Sequence, residues 1–192
     1  MSRILYSVEG VCDQLVVEGL VAAFGPPNAV LKPKQRPATG LHMLLDTLED
    51  TVRASCFGHF DALIVHVDAN GTTPHDSHPR DQPADCRECL LNRRVEEAFS
   101  VISYHHRPQS SLVAVPVQSM EAWLEWGLKG QSVAQLEATP RQSLKHELFG
   151  RPPQEVRRKT VALLPRLIDR LRGGQPSPRS LHRFCADLNR IV

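Results

Sequence analysis

Apolar and polar positions along this chain switch between a strand period and a helix period several times. Arg3 to Val8 reads as a strand, and Val16, Val17, Leu20, Val21 and Phe24 form one stripe of a helix over Asp13 to Phe24, stopped by Gly25-Pro26-Pro27. A short edge strand at Ala29-Val30-Leu31 lies within the basic, proline-containing stretch up to Gly40, and Leu41, Leu44, Leu45, Leu48 and Val52 predict a helix from Leu41 to Cys56. Asp61 to Asp68 is almost continuously apolar, as expected of a central parallel strand covered on both faces. The polar stretch Ala69 to Asp85 has no periodicity and reads as an irregular insertion. A helix over Cys89 to Ser103, a strand over Ser111 to Val117 and a helix over Met120 to Leu128 follow.

Beyond Gly130 the pattern is wholly helical. Leu163, Leu164, Leu167, Ile168 and Leu171 form a stripe, Pro165 marks a kink or a restart, and Pro176 to Pro178 precede an amphipathic helix from Arg179 to Ile191. Strands alternating with helices, then helices alone, predict an α/β fold: a mostly parallel sheet flanked by helices, with a helical C-terminal part. The expected organisation is an α/β domain over 1–130, with an insertion at 69–89, and a basic helical part over 131–192 packed on it. No apolar run approaches the roughly 20 residues of a membrane helix. The apolar run at the N-terminus is too short for a secretory signal, so a cytoplasmic protein is expected.

With 192 residues, 41% hydrophobic and 23% charged, the chain can build one substantial core. The net charge of +2 conceals an asymmetry. From Arg141 onward there are twelve Lys/Arg against four Asp/Glu, whereas the first 140 residues hold eleven against seventeen. Such a division suits a carboxylate-rich site acting on a polyanion held by a basic surface, and equally a set of solvated basic helices. Arg151, Arg157, Arg158, Lys159, Arg166 and Arg170 are the candidates for nucleic-acid contact. Arginine dominates, which fits bidentate phosphate contact, and only Phe149 and Phe184 lie among them, so backbone contact or docking to a partner is expected rather than base stacking.

Three acids stand at predicted strand ends: Glu9, Asp68 and Glu121. In open parallel sheets ligands bind outside the carboxyl ends of the strands, so these residues can meet there. Asp13 lies four residues after Glu9, and Asn70 adds an amide oxygen two residues after Asp68. Oxygen donors of this kind suit Mg²⁺ or Mn²⁺, ions that act on phosphodiesters, although a single acid at a helix start also serves as a cap. His66 shares the face of Asp68 in a regular strand and reads first as a core histidine.

Val8-Glu9-Gly10 with Asp13, Val67-Asp68-Ala69-Asn70-Gly71, and Val115-Pro116-Val117-Gln118-Ser119-Met120-Glu121-Ala122-Trp123-Leu124 together resemble a Toprim-like family related to the Toprim domains of overcoming-lysogenization-defect nucleases. The resemblance implies a Toprim-like fold and divalent-metal-dependent cleavage of DNA or RNA, in defence against mobile elements. It implies metal-site roles for Glu9, Asp13, Asp68, Ser119 and Glu121, and it aligns Lys145 with a lysine placed to stabilise phosphate charge; the alternative for Lys145 is a solvated helix lysine. Asn70 stands where the family carries the second acid of its D-x-D pair. That departure leaves open a weakened nuclease, a one-metal site, or a degenerate subunit that binds nucleic acid or an ATPase partner without cleaving.

Five cysteines make a disulfide framework unlikely in an intracellular chain. His75-x2-His78-x7-Cys86-x2-Cys89 offers two imidazoles and two sulfurs, a set that can close a structural tetrahedral Zn²⁺ site and order the insertion. The alternatives are a solvated polar loop and a redox Cys-x-x-Cys pair. Oligomeric state is left open by the sequence.

Overall fold

The computed structural model describes residues 1–34, 40–72, 74–78, 85–151 and 155–191. Four strands, β1 (Arg3–Ser7), β2 (Val30–Pro33), β3 (Ala62–His66) and β4 (Ser110–Ala114), pair in parallel throughout, in the order β2-β1-β3-β4. Parallel pairing requires crossovers. Helix α1 (Val11–Phe24) joins β1 to β2, α2 (Leu41–Asp46) and α3 (Leu48–Phe57) precede β3, and α4 (Arg87–Ser100) precedes β4. The chain steps outward from β1 to β2 and then returns past β1 to β3. The strand order therefore reverses between β1 and β3, and the carboxyl ends of these two neighbours border the crevice where open sheets bind ligands.

Side-chain alternation divides the core into two layers. Ile4, Tyr6, Ala62, Ile64, Leu112 and Ala114 face α1 and the C-terminal helices, whereas Leu5, Leu63 and Val65 face α2, α3 and α4. All five residues of β3 are buried, which accounts for its continuous apolar run. Helices α5 (Met120–Lys129), α6 (Val133–Ala138), α7 (Arg141–Phe149), α8 (Val156–Arg172) and α9 (Arg179–Leu188) complete the first layer. Phe149, Leu167, Leu181 and Phe184 belong to the same core as Ile4 and Ile64, so the C-terminal helices form a layer of this α/β fold. Gly127 lets α5 lie close against the backbone of α8, because a Cβ at this position would stand 2.7 Å from Leu167 Cα.

Several elements differ from the pattern-based expectation. The helix expected over 41–56 breaks at Thr47, whose hydroxyl donates to Met43 O at 3.0 Å, giving α2 and α3. Helix α4 starts at Arg87, two residues before Cys89, and α1 starts at Val11, which places Asp13 in its first turn. Helix α8 runs through Pro165 without restarting. Strand β4 ends at Ala114, ahead of Pro116, which has no N–H to contribute to a ladder. No helix among the described residues is long and apolar enough to cross a membrane.

Candidate functional site

The crevice between β1 and β3 gathers the acids that stood at predicted strand ends. Glu9 follows β1, and its Oε2 accepts the Asp68 N–H at 3.1 Å, tying the ends of the two strands together. Asp13 is buried in the first turn of α1, directly beside Gly10, the residue that caps that helix. Asp68 is fully buried; its Oδ1 accepts the Met120 N–H at 2.9 Å, so this carboxylate sits on the N-terminus of α5. Glu121 lies in the first turn of the same helix, and Ser119 caps it without using its hydroxyl for the usual side-chain cap. Asp13, His66 and Asp68 each offer a ligand atom, and these atoms all lie within 4.8 Å of one another. The compact group thus contains His66, with Glu9 and Glu121 flanking it.

Polar satisfaction is poor at this point of the fold. Of the eight buried side-chain nitrogen or oxygen atoms without a hydrogen-bond partner among the described residues, five are here: His66 Nδ1 and Nε2, Asp68 Oδ2, Ser119 Oγ and Glu121 Oε2. Asp68 Oδ2 has an ion contact with Arg141; each of the other four costs about 1–3 kcal/mol when left unpaired, so their concentration in one crevice marks a place built to hold something. Charge is crowded as well. Burial, then Glu121 and Glu9, push the Asp13 carboxyl up to about 7 against the opposing pull of Arg141. Burial and then Asp13 also raise Asp68 well above the usual carboxylate range. Burial, then Arg141, lower His66 to about 3, so its ring is a neutral donor.

Among the described residues one cation answers these acids, and it is not among the residues singled out from the sequence. Arg141, the first residue of α7, places Nη2 3.0 Å from Asp68 Oδ2 and Nη1 3.8 Å from Glu9 Oε1, and donates to Asn70 Oδ1 at 3.1 Å. Its side chain remains 32% exposed, at the rim of the crevice. Asn70 is exposed and takes a left-handed backbone, φ 51°, so its amide meets Arg141 at the surface. Lys145 lies one turn beyond Arg141 on α7, partly buried. Nothing in the local sequence marks Arg141 as different from the other basic residues after it; packing of α7 against α5 brings it to the acids.

The other basic candidates lie away from this crevice or serve the fold. Arg151, Arg157, Arg158 and Arg166 are exposed, Arg158 pairing with Glu155. Lys159 is partly buried and borders a recess with Glu125 and Glu147. Arg170 donates to Gly127 O at 3.2 Å and to Gln175 Oε1 at 2.7 Å, with its guanidinium 5.8 Å from the Trp126 ring, and so clasps α8 to α5.

A second ligand group lies in the insertion. His75, His78, Cys86 and Cys89 offer ligand atoms within 4.8 Å of one another. His75 Nδ1 is 3.8 Å from Cys86 Sγ and 3.4 Å from Cys89 Sγ, and His78 Nε2 is 3.7 Å from Cys89 Sγ. The cluster is wired outward. His75 Nε2 lies 3.7 Å from Glu88 Oε1, and Arg183 of α9 bridges Glu88 and Asp76 with two 2.7 Å contacts. Arg87, next to Cys86, donates to the backbone carbonyl of Asp68. The structure therefore holds two groups able to take a metal ion, joined through α4. No family model, curated protein or solved structure matches this chain.

Proposed function

We propose that the chain is a divalent-metal-dependent nuclease hydrolysing phosphodiester bonds, with Mg²⁺ or Mn²⁺ at the acidic centre and Zn²⁺ in the His/Cys knuckle. The observation that carries this reading is the set of buried atoms without a hydrogen-bond partner on His66, Asp68, Ser119 and Glu121, gathered beside buried Asp13 at the reversal point of a parallel sheet. A divalent ion held there supplies positive charge that polarises a phosphoryl group and activates water. Asp13 and Asp68 hold it, with Glu9, Glu121 and Ser119 bordering. Arg141, about one-third exposed, is placed to turn from the carboxylates toward a phosphate oxygen, which its planar fork can bind through two N–H groups. The exposed Arg151, Arg157, Arg158 and Arg166 supply sequence-independent backbone attraction. The resemblance to the Toprim-like family supports the same chemistry and a role in defence.

Zinc is the ion of choice for the knuckle. Zn–S bonds of about 2.3 Å and Zn–N bonds of about 2.0 Å in a tetrahedron put sulfur and nitrogen roughly 3.5 Å apart, close to the contacts of 3.4, 3.7 and 3.8 Å found here. Four protein ligands leave no open position for chemistry, so this ion is structural.

Nicking of supercoiled plasmid and cleavage of labelled single strands in Mn²⁺ test the assignment. Glu9→Gln and Glu121→Gln are expected to lose most of the activity; activity that survives both substitutions would sink it. A second outcome concerns protons. Asp13 keeps its proton up to about pH 7 and the Asp68 carboxyl beside it is raised as well, whereas His66 is already neutral, so Mn²⁺ binding displaces protons from these carboxyls. The apparent affinity then tightens as pH rises from about 5.5 to 7, by up to about tenfold per unit for each proton displaced. Calorimetry in buffers of different ionisation enthalpy counts the released protons; an affinity flat over that interval removes Asp13 and Asp68 from the ligand set.

One observation favours a second reading. Arg141 already neutralises part of the acidic charge and Asn70 supplies no carboxylate, as in a degenerate subunit that binds nucleic acid or an ATPase partner without cleaving. That reading predicts salt-sensitive binding indifferent to Glu9→Gln, and turnover by the purified chain rejects it.

A further inference from the structure

His66 is the side chain at the acidic centre that the proposed function leaves without a task. It closes β3, and strand alternation puts it on the same side as Asp68 two residues later. The residue is fully buried, and neither ring nitrogen has a hydrogen-bond partner. A histidine serving only to fill the core would satisfy at least one of them. Nδ1 instead points to the acids, 3.8 Å from Asp13 Oδ2, and the edge-to-face contact with Trp123, ring centroids 6.3 Å apart, fixes the ring plane.

We infer that His66 is a direct metal ligand, completing an Asp13–His66–Asp68 set that selects a first-row transition ion such as Mn²⁺ over Mg²⁺. The inference rests on the acidic centre being a divalent-metal site and specifies which ion it takes. Donors bound to one ion at about 2.1 Å lie roughly 3 to 4.2 Å apart, so atoms already within 4.8 Å need only a small closure. Mg²⁺ takes oxygen donors only and keeps several waters, and a fully buried pocket with a nitrogen donor offers little room for those waters. Imidazole nitrogen suits transition ions.

The test uses the full chain carrying one equivalent of Zn²⁺, titrated with Mn²⁺ alone and followed by electron paramagnetic resonance, with Mg²⁺ as competitor. The knuckle sulfurs take Mn²⁺ poorly, so the signal reports the acidic centre. In the wild-type chain Mn²⁺ is expected to bind at least about tenfold tighter than Mg²⁺, with imidazole ¹⁴N modulation of its spin echo. His66→Leu removes a group that bonds to nothing else and fills similar space, so the metal-free chain keeps its melting temperature. This variant is expected to lose the nitrogen modulation and about tenfold of its Mn²⁺ affinity, with Mg²⁺ affinity changed less than about twofold. Should it fail to fold, His66→Gln reads the same loss of modulation. Wild-type Mn²⁺ affinity and modulation in the folded variant would overturn the role of His66 and leave the acidic centre standing. Absence of Mn²⁺ binding to the wild-type chain, or binding untouched by Asp68→Asn, overturns both.

Discussion

Asp68→Asn is expected to lower Mn²⁺ affinity and Mn²⁺-dependent cleavage by about 100-fold or more, while the metal-free chain melts no more than about 3 °C lower than wild type. The two halves of this result follow from the same geometry. Asp68 is the residue on which the crevice converges: its amide bonds Glu9, its Oδ1 caps α5, and its Oδ2 faces Arg141. An asparagine keeps a carbonyl for the Met120 N–H, so the start of α5 is retained. What it removes is charge, and charge is what a divalent ion requires of this position. Without the ion that charge is a liability, since burial and then Asp13 already push the carboxyl toward its protonated form. Loss of the contact with Arg141 opposes the relief. That guanidinium is part-exposed and keeps Glu9 beside it, which limits the penalty. Calorimetric Mn²⁺ titration and a thermal melt of the same sample read the two halves. A melting temperature that falls together with activity would reassign Asp68 to structure, and retained Mn²⁺ affinity would remove it from the site.

The parts of this centre that were legible in the sequence share one property: strand periodicity alone locates them. The apolar run ending at Val67 fixes the end of a central strand and hence Asp68, and the same logic places Glu9 and Glu121. His66 was legible by position but ambiguous by chemistry. Its face follows from alternation, whereas the lack of a hydrogen-bond partner for its ring nitrogens depends on what α1 and α5 bring over the sheet. Arg141 was illegible, because a cation on a short helix gives no periodic signal and reaches the acids only through the packing of α7 on α5. Lys145, the residue singled out instead, is one turn along the same helix. The knuckle was readable because its four donors lie within one segment. Its connection to the acidic centre through Arg87 was not, since that depends on α4 starting at residue 87 rather than at Cys89.

That connection makes the knuckle the second place where one substitution has a large consequence. Cys89→Ser is expected to abolish binding of one Zn²⁺ per chain, lower the melting temperature by about 5–10 °C and weaken Mn²⁺ binding at the acidic centre by about tenfold. Without a metal, this substitution is mild. Cys89 is partly exposed in the first turn of α4, where serine is well tolerated, and such changes usually stay within about 0.5 kcal/mol. With zinc, one of four ligands is lost, and the segment from His75 to Cys89 has little apolar burial of its own to hold it in place: among its described residues Cys86 is the buried hydrophobic. The rest of the fold stands on its two core layers, so the chain does not unfold outright. The effect travels along bonds already present. Release of His75 frees Glu88 from its place between His75 and Arg183, which loosens the first turn of α4 from α9. Arg87 in that turn holds the Asp68 carbonyl, and its displacement lets the carboxylate drift from the other ligands. Zinc content by mass spectrometry, a thermal melt and Mn²⁺ titration of Cys89→Ser separate the steps. Unchanged zinc stoichiometry would dismiss the knuckle as a metal site, and lost zinc with unchanged Mn²⁺ affinity would cut the link between the two centres.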